Sequence, residues 1–130
     1  MARGNAVSIS LYYSAKRQRP LSEKERQAVD ALMEKYSVDD QIEHRNQTGE
    51  GPNWESFSFY TPSFEYPDTI LEGATKPPDN SEDAFWAGIL HLCAALSELR
   101  RLLHDADWAV HLDDHDIHWD EEQQAYDPSV

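Results

Sequence analysis

Residues 85–103 repeat their apolar side chains at the spacing of one helical face. Positions three or four residues apart make up this stripe: Phe85, Ile89, Leu92, Leu96, Leu99 and Leu103. Trp86, Leu90, Cys93 and Leu102 widen it, and Asn80 or Ser81 can cap the helix. A helix of about 24 residues would be about 36 Å long, so its apolar side needs an extended partner. We expect a β-sheet rather than a coiled coil, because the heptad spacing lasts barely three repeats.

The N-terminal part of the chain changes from a period of two residues to the period of a helix. Val7, Ile9, Leu11 and Tyr13 alternate with the residues between them, which predicts a strand. Ser22 and Glu25 then have the spacing of a capping box. They predict a helix from Glu23 to Tyr36, whose apolar face comprises Val29, Leu32, Met33 and Tyr36.

The middle of the chain favours a hairpin followed by an irregular segment. Val38 to Arg45 resembles a polar strand, Gln47 to Asn53 a turn, and Trp54 to Tyr60 an aromatic strand. Residues 61–79 contain four prolines and predict an irregular loop, with a short strand at Thr69 to Glu72.

The C-terminal part predicts a second hairpin with an apolar face and an acidic tip. Trp108, Val110 and Leu112 alternate, Asp113 to Asp116 interrupt the pattern, and Ile117 and Trp119 resume it. Residues 123–130 predict a tail that either lies over the surface or frays.

These segments give the order strand, helix, strand, strand, helix, strand, strand. We therefore expect an α+β fold, a mainly antiparallel sheet with two helices on one face. The order matches a ferredoxin-like (split βαβ) plan, β-α-β-β-α-β, with a C-terminal hairpin added. At 130 residues, the whole range 1–130 is expected to form one domain.

The net charge of −14, from 25 acidic and 11 basic residues, is distributed unevenly. Residues 1–36 hold seven Lys or Arg and four acids, whereas residues 102–130 hold nine acids and no Lys or Arg. Such a surface repels phosphates, so we expect neither nucleic acid nor an anionic membrane as a partner, but a cationic protein. The sequence shows no apolar run near 18 residues and no signal-peptide pattern after Met1, which favours the cytoplasm.

One segment, 111–118, contains side chains that can ligate metal ions. His111, Asp113, His115 and His118, together with Asp114, offer imidazole and carboxylate ligands for zinc, manganese or iron. This pattern leaves open a metal-dependent hydrolase as an alternative. The spacing matches no specific zinc signature, however, and exposed histidines on an acidic hairpin are the preferred interpretation. Cys93 lies in an apolar helical stripe and the sequence has no Gly-flanked serine, so we predict no catalytic residue and no cofactor.

Electrostatics supports a sharper hypothesis, in which acids beside an aromatic residue form a protein-binding surface. The candidate partner-binding residues are Asp113, Asp114, Asp116, Trp119, Asp120, Glu121 and Glu122. In size, single-domain build, acidity and lack of a catalytic motif, the chain resembles the small immunity proteins of bacterial polymorphic or contact-dependent toxin systems. The resemblance implies a cytoplasmic inhibitor that occludes a basic toxin domain. Beside the acidic residues, we expect the 61–79 loop to be a second contact. A non-catalytic regulatory or assembly subunit, dimerising through sheet edges or the long helix, is a further alternative.

Overall fold

The computed structural model of the chain describes residues 9–59 and 68–130. Helices and strands within these ranges follow one another as β1 (Leu11–Lys16), α1 (Glu23–Lys35), α2 (Asp39–Thr48), β2 (Thr69–Thr75), α3 (Glu82–Leu102), β3 (Asp107–Leu112), β4 (His115–Asp116), β5 (His118–Asp120) and β6 (Ala125–Asp127). The fold is therefore α+β, as the sequence predicts. None of the helices in these two ranges is long and apolar enough to cross a membrane.

Within the described residues, strand β1 lies in the interior of a four-stranded antiparallel sheet with the order β2-β1-β3-β4. Leu11 pairs with Thr75 of β2 on one side and with Leu112 of β3 on the other. Because β2 and β3 both run antiparallel to β1, they are parallel to each other, and α3 connects them. Strands β5 and β6 form a separate two-stranded sheet.

The core lies between one face of the larger sheet and helices α1 and α3. Alternate residues of β1 (Leu11, Tyr13 and Ala15) are buried there. They join Val29 of α1 and the long stripe of α3, in which Ile89, Leu92, Leu96, Leu99 and Leu103 are all buried. The other residues of β1, Tyr12 and Ser14, therefore lie on the opposite face of the sheet.

Both of the long helices begin at the caps that the sequence predicts. Ser22 Oγ accepts a hydrogen bond from the Glu25 N–H, and Glu25 Oε1 accepts one from the Ser22 N–H. Helix α1 then ends at Lys35, with Tyr36 as its C-cap. At α3 the hydroxyl of Ser81 accepts a hydrogen bond from the Ala84 N–H. Each cap satisfies an N–H group that a helix start leaves without a partner.

The strand predicted at Val38 to Arg45 is wrong, because these residues lie in and next to helix α2. Val38 and Ile42 are four residues apart, the spacing of a helical face, and Asp39 and Asp40 suit the positive end of the helix dipole. Gly49 ends the helix in the left-handed conformation, with φ of 74°.

The predicted hairpin over residues 38–60 is consequently absent. Residues 52–58 run without a strand partner, and the Glu72 N–H donates a hydrogen bond to the carbonyl of Phe59, which is buried. Tyr60 lies outside the described residues. In the described part of the connection between β1 and β2 there are two helices rather than one, so the arrangement differs from the predicted ferredoxin-like order.

The ends of other elements also differ from those that the sequence predicts. Strand β1 begins at Leu11 and continues to Lys16; Ile9 is exposed before it, and Val7 lies outside the described residues. The short strand expected at Thr69 to Glu72 is present and extends to Thr75, whereas residues 61–67 of the 61–79 loop are not described. Three residues assigned to the α3 stripe, Trp86, Leu90 and Leu102, are exposed on its outer side.

The C-terminal segment forms two short hairpins instead of one. The Ile117 N–H donates to the Val110 carbonyl and continues the β3–β4 pairing, but Trp119 belongs to the smaller sheet. Residues 125–127 of the predicted tail form β6, which packs against α3. There the Ser97 hydroxyl donates to the Cys93 carbonyl and accepts from the Tyr126 N–H, so it connects helix and strand.

Candidate functional site

The candidate partner-binding residues lie on two turns that belong to different sheets. Asp113 and Asp114 form the β3–β4 turn and Asp116 ends β4, in the larger sheet. Trp119, Asp120, Glu121 and Glu122 belong to β5 and to the turn that follows it, in the smaller sheet. The structure therefore does not align all seven residues along one hairpin.

Asp113 has a structural role in its turn. Its Oδ1 accepts a hydrogen bond from the Ser10 N–H at 3.1 Å, and its own N–H donates to the Ser10 carbonyl at 3.0 Å. The residue has φ of 50°, a left-handed conformation that Asp tolerates better than most residues. These bonds attach the acidic turn to the residue just before β1.

Asp120 and Trp119 also make contacts within the chain. Asp120 Oδ1 accepts hydrogen bonds from the N–H groups of Glu122 and Gln123, at 2.9 and 3.1 Å, and so closes the β5–β6 turn. The Trp119 ring lies 4.2 Å from the Arg100 guanidinium and 4.9 Å from the Tyr126 ring. Trp119 therefore anchors the small sheet to α3 through a cation–π contact.

Four of the predicted residues are exposed acids, and we call them the C-terminal acidic surface: Asp114, Asp116, Glu121 and Glu122. Among the described residues, none of the four forms an ion pair with a lysine or arginine. The ion pairs that the structure shows lie elsewhere: Arg17 with Glu25 and Asp105, Arg19 with Asp105, Lys35 with Glu98, and Lys76 with Asp79. Within the part of the chain that the structure describes, the four carboxylates are therefore not paired with a lysine or arginine.

The residues of the alternative metal site are not brought together. His111 Nδ1 donates to the Asp113 carbonyl at 2.6 Å, whereas His115 Nε2 contacts the Val130 carbonyl at 3.3 Å. His118 lies opposite Asp127 in the smaller sheet. Over residues 9–59 and 68–130, no group of three His, Cys, Asp or Glu side chains is arranged to hold a metal ion.

Cys93 lies on the buried side of α3 and is part of the core. Burial raises the pKa of its thiol to about 11, and the nearby charge of Asp127 contributes in the same direction. Only the thiolate is an effective nucleophile, so at neutral pH this residue packs as a small apolar side chain.

The face of the large sheet opposite the core carries a feature that the sequence patterns did not reveal. Tyr12 pairs with His111 across β1 and β3, and their rings stack with centroids 5.2 Å apart and planes 20° apart. A concavity of about 400 Å³ lies beside them, and we call it the open-face pocket. Its other lining residues are Tyr13, Ser14, Glu72, Gly73, Ala74 and Ala109.

The sequence offers one signal for this pocket. Tyr12 and Ser14 on β1, and Ala109 and His111 on β3, occupy the strand positions that alternate with the buried ones. The pairing of β1 with β3 decides that Tyr12 meets His111, and strand periodicity does not specify that register. The C-terminal acidic surface and the open-face pocket are thus the two candidate sites. The chain matches no family model, no curated protein and no solved structure.

Proposed function

We propose that this chain is an inhibitor of the immunity-protein kind, which binds a basic toxin or effector domain through its C-terminal acidic surface. The observation that carries the proposal is the imbalance of charge at this end of the molecule. Residues 102–130 hold nine acids and no Lys or Arg, and Asp105 is the one acid among them with an ion pair in the described structure. An inhibitor with such a surface would be attracted to the groove of a domain that handles an anionic substrate.

The two acidic turns are fixed to the body of the molecule. Hydrogen bonds between Asp113 and Ser10 hold the first turn, and the contact of Trp119 with Arg100 holds the second. Binding then costs little conformational entropy, because the carboxylates are already in place before the partner arrives. This rigidity supports a docking surface better than a mobile acidic tail would.

Fixed charge of one sign acts mainly on the rate of association. Attraction between opposite charges raises the frequency of productive encounters and weakens as salt screens it. The proposal therefore predicts a fast, salt-sensitive association with the basic domain. The rate of dissociation should depend less on these exposed carboxylates.

The experiment compares two variants that each lose four negative charges. One neutralises the C-terminal acidic surface, with Asp114→Asn, Asp116→Asn, Glu121→Gln and Glu122→Gln. The control neutralises exposed acids elsewhere, with Asp30→Asn, Asp40→Asn, Glu43→Gln and Glu50→Gln. The partner is captured by cross-linking in the cells that produce the chain, and then purified for stopped-flow measurements at low and physiological salt.

We expect the first variant to associate about 10- to 100-fold more slowly at low salt, with little salt dependence. The control variant should stay within about threefold of the wild type, because its lost charges lie outside the docking surface. Equal rates for the two variants, or an acidic partner, would refute the proposal.

A second candidate, an assembly or regulatory subunit that pairs with another copy of itself, is favoured by the outer side of α3. Trp86 is 45% exposed and Leu90 is 58% exposed there, and neither contributes to the core. Burying large apolar side chains between copies would stabilise a dimer. Analytical ultracentrifugation of the wild type and of Leu90→Lys tests this, since a dimer that the variant loses supports it and a monomer at every concentration excludes it.

A further inference from the structure

The floor of the open-face pocket consists of residues with small side chains. Ser14, Gly73, Ala74 and Ala109 line it, so a ligand can approach close to the backbone of β1, β2 and β3. Its volume of about 400 Å³ falls within the range of small-ligand sites and exceeds that of one amino-acid side chain. The pocket is open to the exterior on the side of the sheet away from the core.

One wall of the pocket is a flat aromatic surface. Tyr12 is 41% exposed although it lies on the central strand, and its ring is stacked on His111. The stack fixes the orientation of the tyrosine ring. A planar cation that lies on such a ring gains a cation–π contact, and guanidinium groups form this contact more often than ammonium groups.

The acid of the pocket is Glu72 on β2, directly across from Ser14 in the β1–β2 register. It forms no ion pair among the residues that the structure describes, although it is partly buried. Its carboxylate is available for a charge-assisted hydrogen bond with a cationic group that a ligand supplies.

The charges around the pocket favour the same ligand. Asp116 lies opposite His111, and Asp107 lies opposite Lys16 at the far end of the same strands. Lys16 already interacts with another group of the protein. Strands β1 to β4 hold three acids (Glu72, Asp107 and Asp116) and one lysine, so the electrostatic potential of the face favours a positive group.

We infer that the open-face pocket binds an arginine side chain of the partner, with the guanidinium stacked on Tyr12 and paired with the Glu72 carboxylate. This inference rests on the proposed function for the source of the arginine, since the partner proposed there is basic. The C-terminal acidic surface then attracts the partner, and the open-face pocket retains it by a specific contact.

The first test uses small probes and needs no partner. N-acetylarginine amide and N-acetyllysine amide are titrated separately into the ¹⁵N-labelled protein, and the amide NMR signals are followed. The arginine compound should shift the signals of residues 12–14, 72–74 and 109–111, with an affinity at least about fivefold higher than that of the lysine compound.

Variants locate the probe. Glu72→Gln keeps the shape of the side chain and should weaken binding of the arginine compound about fivefold or more, as should Tyr12→Ala. Asp30→Asn, at an exposed position of α1, should leave its affinity unchanged, and the amide spectrum shows that each variant is folded. Equal binding of the two compounds, or equal affinity of the wild type and Glu72→Gln, would overturn the inference.

The second test separates this inference from the proposed function. With the captured partner, Glu72→Gln should increase the dissociation rate about tenfold and change the association rate little. Neutralising the C-terminal acidic surface should instead lower the association rate and change the dissociation rate little. If association is salt-sensitive but Glu72→Gln leaves the dissociation rate unchanged, the inference about the pocket is refuted and the proposed function is not. If the arginine probe binds but neutralising the acidic surface leaves the association rate unchanged, the proposed function is refuted and the pocket is not.

Discussion

The two adjacent acids of the β3–β4 turn differ in their contribution to the stability of the turn. Asp113 is held at both its side chain and its N–H by Ser10, whereas Asp114 is exposed and makes no such bond in the described structure. In the sequence the two residues are indistinguishable as acids. Their roles follow from the backbone, because the left-handed conformation at Asp113 aims its carboxylate at the start of β1.

We expect Asp113→Ala to lower the free energy of unfolding by about 1–2 kcal/mol, because it removes a hydrogen bond and places Ala at an unfavourable φ. Asp114→Ala is the matched control and should change it by less than about 0.5 kcal/mol. Urea denaturation of both variants measures the difference. Equal losses would show that the bonds to Ser10 contribute nothing.

The lowered pKa of Glu25 predicts that the stability of the protein depends on pH. The hydrogen bond from Arg17 at 2.5 Å, followed by that from the Ser22 N–H, lowers the pKa of this carboxyl from 4.5 to about 2. Because the folded value lies below the unfolded one, ionised Glu25 stabilises the fold above pH 4.5. That contribution is lost as the pH falls from 4.5 to about 2.

The variant Glu25→Gln should therefore have a lower Tm than the wild type at neutral pH, by about 2–6 °C, and this deficit should vanish near pH 2. Glu23→Gln, in the same helical turn but without an ion pair in the described residues, is the control. Differential scanning calorimetry from pH 2 to pH 7 provides the comparison. A deficit for Glu25→Gln that persisted unchanged at pH 2 would contradict the assignment.

At the scale of elements, Gly73 allows residues 52–59 to lie against β2. A Cβ atom at this position would lie 2.5 Å from the Tyr13 ring and 2.6 Å from the Ser58 carbonyl oxygen. The ring can shift, but the carbonyl belongs to the backbone, so a side chain here would displace the whole segment. The same segment carries Phe59 into the core.

Gly73→Ala should accordingly destabilise the protein by about 1–3 kcal/mol. Ala74→Gly, at the next and exposed position, should cost less than about 1 kcal/mol. Guanidinium denaturation followed by circular dichroism distinguishes these outcomes. A tolerated Gly73→Ala would mean that residues 52–59 do not contact β2 as described.

Local patterns explain which elements the sequence predicts. Helices α1 and α3 combine a side-chain cap with a long apolar stripe, and both signals depend on neighbouring residues alone. Helix α2 has neither a side-chain cap nor a long stripe, and Ile42 within it and Val38 at its N-cap also fit an alternating strand.

The sites are predicted less well because they depend on contacts between distant segments. The exposed acids on the turns follow from composition and turn residues. The stacking of Tyr12 on His111 depends on the register of β1 against β3. The cation–π contact of Trp119 depends on the position of Arg100 on α3. No periodic pattern encodes either contact.

For the whole molecule, the excess of negative charge is a source of self-repulsion. With a net charge of −14, added salt should stabilise the folded state by screening this repulsion. We expect the Tm to rise by about 3–8 °C between low and high NaCl. The variant that neutralises the C-terminal acidic surface should show a smaller rise, and a Tm that fell with NaCl would show that attractive ion pairs dominate instead.

The central position of β1 has a consequence for biosynthesis. Leu11 pairs with Leu112, so this strand leaves the ribosome long before β3 exists. At common translation rates the delay is roughly 5–20 s. Strand β2 can cover one edge of β1 earlier, but the edge that pairs with β3 stays open for the whole delay. Nascent chains of this protein should therefore depend on chaperones that cover exposed strands, and slowed translation should increase their aggregation.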